Sequence, residues 1–503
     1  MEPNFVVPNT AQEQVRFLRN SLGDPIVDWI LTNPADPLTV QQAQVLKLLI
    51  QVIVRGQPRT SGGASLPMRY NLIALSQYNE TVGATLFNYL RSVTSGEEAP
   101  TFPRSGDSLL DALTDCAVEL YGEFLLTIRD AHSVPFPLGS VSSPTASQLK
   151  ERIAEATDLP FSSIAGSRIY AVTSIGTGGG IQVEVAGPSI INAAWRTASL
   201  TEPAPSLEDL VSELPQALKN ARLALAGRTV KVKGICSFTG LTLPPNTVLD
   251  LGWGRIRTAR PSDHPQHVSG LTQRRTVSGS SGVEITDAGD IILEADVGYR
   301  LYIRDATGER SWPPATSRSE LEKRTTQIRL ALLLAVERDA APVLVPTWSL
   351  FIEPISQGSS IGVSDPQLFA KRHPIAITDS EASAWRDWIQ QLDAVDLSGL
   401  GVAPARLIRA IAERRDPSDS LIDAVVCWES MFGGEKELTL RVSTAMARIL
   451  RPPGAERRAT RKSLARYMNY AVVSSMAPIQ TGALCKRPPK KLWPMPSRRS
   501  EWL

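Results

Sequence analysis

Residues Val402–Leu450 read VAPARLIRAIAERRDPSDSLIDAVVCWESMFGGEKELTLRVSTAMARIL. The spacing predicts a run of amphipathic helices separated by polar turns. In the first, Leu407, Ile408, Ala410, Ile411 and Ala412 form one apolar face, and Arg409, Glu413, Arg414 and Arg415 fill the other. Asp416-Pro417-Ser418-Asp419 ends it, because the residue before a proline avoids the helical basin. Ser418 or Asp419 is placed to cap the next helix. That helix presents Leu421, Ile422, Ala424, Val425, Cys427, Trp428 and Met431 as a broad buried face, and Gly433-Gly434 ends it. A third helix, opening near Glu435, carries Leu438, Leu440, Val442, Met446 and Leu450.

Two of these stretches resemble the Apea-like branch of the HEPN family, bacterial helical domains that act as RNases in defence and toxin systems. The first is RRDPSDSLIDAVVCWESMF, with its acidic residue at Glu429; the second is ELTLRVSTAMARIL, with Arg441. The resemblance covers roughly the last quarter of the chain and implies a helical bundle, an RNA-directed activity and pairing of two protomers. Glu429, Arg441 and Arg448 are the candidate supporting, RNA-facing residues. Helical patterning by itself favours a bundle with no active site.

The whole chain bounds the possibilities. It has 503 residues, 42% hydrophobic and 21% charged, an ordinary globular composition that suggests two to four domains. The net charge of +2 gives no global field toward nucleic acid or membrane. Cys116, Cys236, Cys427 and Cys485 are widely spaced without a CxxC pair and read as reduced, buried thiols. His132, His264, His267 and His373 complete no metal-ligand pattern, so neither metal nor cofactor is expected. The N-terminus has no basic and apolar leader pattern, and the most apolar run, Val45–Val54, is too short to span a bilayer. These features point to the cytoplasm.

Taken in order, the chain predicts an α+β multidomain protein. Residues 1–140 read as a helical bundle, with helices at Thr10–Leu22, Pro25–Leu31, Thr39–Val54, Glu80–Val93 and Leu109–Ile128. Residues 141–227 form a mixed linker and α+β segment. Within it, the Gly176–Gly180 run lies between two strand-like stretches and reads as a hairpin loop, not a phosphate cradle. Residues 228–363 alternate with period two and predict a mostly antiparallel β module with one wet face, interrupted by a helix at Ser319–Arg338. Trp253, Arg255, Arg257, Arg304 and Trp312 could line a ligand surface there, but the favoured reading makes Trp253 core and the arginines a solvated face. Residues 364–466 carry the HEPN-like helices, beginning with one capped by Thr378 or Ser380.

Chemistry is missing from this frame. RNases of the HEPN family rest on an Arg and a His separated by four to six residues near the start of the last helix. RNA cleavage needs a base for the 2′-hydroxyl and positive charge beside the phosphate. No histidine follows His373, so no catalytic pair is present as written. From Tyr467 the helical period decays into a Pro-, Lys- and Arg-rich tail, residues 467–503. Back-translating Tyr467–Ala477 and reading from the third base of the first codon forces Glu, Leu and Gly and permits YELRSRIVHG. That string resembles the end of an Apea-like domain, with four residues between an Arg and a His. The expectation is therefore an RNase-derived protein, inactive as written, with a frame slip just before Tyr467. RNA and a second copy bound through the C-terminal helices are the expected partners. The alternative is a non-enzymatic scaffold that uses those helices to dimerise.

Overall fold

The computed structural model describes residues 10–31, 38–56, 78–96, 99–125, 143–156, 159, 169–172, 178–181, 186–260, 263, 272–273, 283–284, 289–300, 316–338, 342–355, 361–363, 374–432 and 437–476. The fold is α+β, with helices at both ends and an antiparallel sheet between them. The chain opens with α1 (Ala11–Leu22), α2 (Asp24–Leu31) and α3 (Val40–Gly56). Thr10 caps α1 in a reciprocal capping box with Glu13. A short pair, β1 (Tyr78–Asn79) and β2 (Ala84–Thr85), precedes α4 (Leu86–Ser95). The helix expected from Glu80 therefore starts later, where the Thr85 hydroxyl accepts from Asn88 N–H. Next come α5 (Ser108–Phe124) and α6 (Pro144–Glu155). Ser143 caps α6, its hydroxyl accepting from Ala146 N–H, with Pro144 at the first turn.

Strands β3 (Ile169–Val172) and β4 (Gly178–Ile181) pair antiparallel, so Gly178–Gly180, expected in the loop, belong to a strand, and residues 173–177 lie outside the described residues. The sequence reading left α7 (Ala186–Thr201) unassigned; its stretch AGPSIINAAWRTASLT has small and apolar residues without a sharp polar face. It is followed by α8 (Leu207–Leu225), β5 (Val230–Thr239), β6 (Leu241–Thr242), β7 (Val248–Asp250) and β8 (Gly254–Thr258). Then come β9 (Thr272–Gln273), β10 (Val283–Glu284), β11 (Ile291–Tyr299), α9 (Thr316–Ala335), β12 (Val345–Phe351), β13 (Ile361–Val363) and β14 (Ile375–Ala376).

The main sheet is six-stranded, in the order β13-β12-β5-β11-β8-β7, with every pairing antiparallel. Its face is not wet in the middle. Ile235, Ile292, Trp348, Leu350 and Ile352 pack with Ala193 and Leu200 of α7. On the other side Leu321 of α9 lies against Gly234 and Phe351. Covered on both sides, β11 reads IILEADVGY and is almost wholly buried, where the alternating pattern predicted one solvated face. The apolar core runs continuously from Leu18 in α1 to Ile389 in α10 (Asp379–Asp393), through the sheet. Helix α10 is tied to α9 by Trp385 Nε1–H donating to Ile328 O at 2.8 Å and Gln327 Nε2–H donating to Ile389 O at 3.0 Å.

The remaining helices are α11 (Ala403–Ile408), a π-wound turn at Arg409–Glu413, α12 (Pro417–Phe432), α13 (Leu438–Leu450) and α14 (Ala455–Met476). Asp416, not Ser418 or Asp419, caps α12, accepting from Ser418 N–H at 2.7 Å with Pro417 in the first turn. Among the described residues no helix is long and apolar enough to cross a membrane.

Close approach of β8 to β11 makes the glycine at 254 a test of this register. A Cβ at Gly254 would lie 2.2 Å from the Glu294 carbonyl oxygen. Gly254→Ala is expected to cost about 1–3 kcal/mol. Gly399→Ala, where a Cβ meets nothing within 4 Å, should shift stability by less than about 0.5 kcal/mol. Denaturant unfolding measures both, and equal effects would contradict the β8–β11 register.

Candidate functional site

Helices α12, α13 and α14 enclose a core of their own: Val425, Val442, Met446, Ala447, Leu464, Met468 and Ala471. It is edged by Leu421, Ile422, Trp428, Phe432, Leu438 and Leu450. Two residues of the expected apolar faces are instead on the surface, Met431 (40% exposed) and Leu440 (49%). Helix α14 continues through Tyr467, the point where the period was expected to decay. Leu464, Met468 and Ala471, at i, i+4 and i+7, keep one face inside the bundle. The rest of the basic tail, 477–503, lies outside the described residues.

The polar anchor of this module is Asp423, whose side chain is buried on α12. Arg406 from α11 donates to its Oδ1 at 2.5 Å, and Arg414, just after the π turn, donates to its Oδ2 at 2.6 Å. Both carboxylate oxygens are thus satisfied by charge-assisted hydrogen bonds. Burial pushes the Asp423 carboxyl up, but the hydrogen bonds from Arg414 and Arg406 outweigh it and hold the group below the usual aspartate range. The π turn is held on its other side as well. Arg329 of α9, nearly buried, pairs with Glu413 at 2.7 Å, and its Nε–H donates to Leu344 O at 2.9 Å. Ile408 and Ala412 pack with Leu333, Val343 and Val345.

The three residues singled out by resemblance are placed apart. Glu429 is half-buried on α12, and burial alone raises its carboxyl. Arg441 and Arg448 are exposed on one face of α13, seven residues apart. Among the described residues no hydrogen bond or ion pair joins Glu429 to either. Sequence reasoning missed a larger feature on α14. Arg458, Lys462 and Arg466 recur every four residues and are all exposed, with Arg461 beside them. Positions i, i+4 and i+8 advance about 6 Å per step along a helix and form a continuous ribbon. Between Arg451 and Met476 there are six basic residues against one acidic residue, Glu456. Arg457 is used structurally, its Nε–H donating to the Arg451 carbonyl at the end of α13. The signal was in the sequence as RRATRKSLAR, but its exposure became clear only once Leu464 and Met468 defined the inner face.

The alternative ligand surface on the sheet is taken apart by its own contacts. Arg257 is buried, not solvated, donating to Glu294 at 2.7 Å and to both oxygens of Asp263 at 2.6 Å. Arg255 pairs with the other Glu294 oxygen at 2.7 Å and donates to Leu200 O at 3.0 Å. Arg260 donates to Thr201 O. These arginines fasten the C-terminal carbonyls of α7 to the sheet. Trp253 packs on the core beneath the Arg324 guanidinium, 4.2 Å from the ring centroid. Arg304, Trp312, the four histidines and Cys485 lie outside the described residues. Cys116, Cys236 and Cys427 are free and buried, and burial pushes each thiol well up, to about 12 for Cys236 and about 11 for Cys427. Among the described residues no group of three or more His, Cys, Asp or Glu is placed to hold a metal ion. Compared with protein-family models, curated proteins and solved structures, the chain matches none.

The Asp423 clamp has a defined pH signature. Its carboxyl is depressed in the folded chain, so its stabilisation is present above the unfolded value of about 3.9 and is lost as pH falls through the lower folded value. Asp423→Asn should cost about 2 kcal/mol at pH 7, where it leaves two partly exposed arginines without a counter-charge. The gap between wild type and variant should close as pH drops below about 4. A gap of constant size from pH 7 to pH 3 in chemical unfolding would show that the clamp is not ionised.

Proposed function

We propose that this chain is an Apea-like, HEPN-type protein of bacterial kind whose C-terminal bundle engages RNA but does not cut it. The observation that carries this reading is the exposed ribbon Arg458, Lys462 and Arg466 on α14, with Arg441 and Arg448 exposed on the adjoining α13. Cations along one helix suit a polyanion, because they neutralise successive phosphates and release counterions. Whole-chain charge hides this, since the net value is only +2. The ribbon precedes Tyr467 and so stands whichever frame follows. Cleavage is a separate matter. A metal-independent RNase needs a group to take the 2′-hydroxyl proton, which in the resembling family is a histidine on the last helix. This chain has no histidine after His373. A cytoplasmic defence or stress role, with the sheet module sensing a signal, fits this reading.

The test is RNA affinity against salt, by fluorescence anisotropy, together with a nuclease assay. Full-length protein should bind RNA and leave it intact. Removing the three charges (Arg458→Ala, Lys462→Ala, Arg466→Ala) should lower the slope of log K against log salt by about 2, at roughly 0.7 per single-strand phosphate contact. A chain restored to the third-base frame from Tyr467, which supplies the Arg and His, should cleave. Absence of RNA binding at low salt, or cleavage by the written chain that survives loss of Arg441 and Arg448, would sink the reading.

A second reading, a non-enzymatic scaffold that dimerises through these helices, is favoured by one observation. Met431, Leu440, Ile449 and Tyr470 are large apolar or aromatic side chains exposed on the bundle. It predicts a dimer by sedimentation that Leu440→Asp and Ile449→Asp return to monomer. A wild-type monomer at high concentration rules it out.

A further inference from the structure

One short segment, Arg406–Arg414, is gripped from two sides. The sheet module holds it through Ile408 and Ala412, packed with Leu333, Val343 and Val345, and through the Arg329–Glu413 pair at 2.7 Å. Arg329 is also anchored to the strand approach, donating to Leu344 O. The bundle holds the same segment through Arg406 and Arg414, both closed on Asp423 of α12. Between the two grips the backbone is π-wound, at Arg409–Glu413. A π turn carries one residue more than an α turn and is found in short pieces, often at functional joints. Its nearest alternative is the ordinary α turn. Changing from one to the other rotates everything beyond by one residue, about 100° around the axis. Glu413 sits at the last position of the turn and Asp423 lies beyond it, whereas Arg329 and Arg406 do not, so that rotation would carry Glu413 away from Arg329 and Asp423 away from Arg406.

We propose that Arg409–Glu413 is a two-register joint through which the sheet module sets the position of α12, and with it the bundle surface. In the register seen, Glu413 meets Arg329 and Asp423 meets Arg406 together; in the other register both pairs are lost together. The joint is thus a discrete element that both modules bias, as coupling between distant sites requires. It does not depend on RNA being the ligand of the bundle.

The test is native-state hydrogen exchange on the full-length chain, comparing Glu413→Gln, Asp423→Asn and the double variant. Each single change should speed exchange of the α12 amides, residues 417–432, while β5 and β11 stay protected. Because either change already releases the shared register, the double variant should exchange more slowly than the product of the single effects, by more than about three-fold. Independent sites would combine to within roughly two-fold, and that result overturns the proposal. So does an effect of Glu413→Gln confined to α9 and the π turn. If Asp423→Asn does not fold, Arg406→Gln takes its place in the same cycle, with the same two outcomes.

Discussion

The C-terminal bundle of this protein depends on a buried carboxylate that cannot be left unpaired. Asp423 faces the inside of α12, where an isolated charge would be costly, and two arginines from either side of the π turn complete it. That requirement fixes where α11 ends, how the next turn winds and which face α12 turns inward. Hydrophobic packing of α12, α13 and α14 supplies the driving force. The ion pairs select one arrangement among those the apolar faces would permit.

The same logic appears in the sheet. Glu294 is buried on the central strand β11 and is shared by Arg255 and Arg257, which also hold Asp263 and the end of α7. In both places arginine is the partner, and at Arg257 its planar fork satisfies Glu294 and Asp263 at once. Residues that read as a solvated, charged face are the fasteners between layers. A ligand surface built from them would have to break those bonds first.

Charge that is not spent in this way is concentrated at the end of the described chain. Acidic and basic residues nearly balance over the whole sequence, yet α14 carries its cations almost unopposed on its outer face. Local field decides what a surface attracts, and exposed charges further apart than about 10 Å are largely screened at moderate salt. An overall charge near zero is therefore no argument against a polyanionic partner for this bundle.

Period and end signals in the sequence determined the helical ends and the antiparallel middle, with one helix starting at Thr10 and another capped by Thr378 or Ser380; the structure closes these starts by pairing Thr10 with Glu13 and Thr378 with Glu381. These are local effects, in which a side chain meets backbone three residues away. Helix α7 was not legible, because a helix lying on a sheet needs small residues more than a clean polar stripe. The wet face was misjudged for the same reason, since cover by α7 and α9 comes from distant chain. Of the candidate site, Glu429, Arg441 and Arg448 could be named in advance, and the ribbon on α14 was present as letters. Only tertiary structure joined Asp423 to Arg406 and Arg414, and Glu413 to Arg329. Those pairs link residues as much as 84 positions apart, and nothing in a one-dimensional pattern says which of many arginines will close on a buried carboxylate.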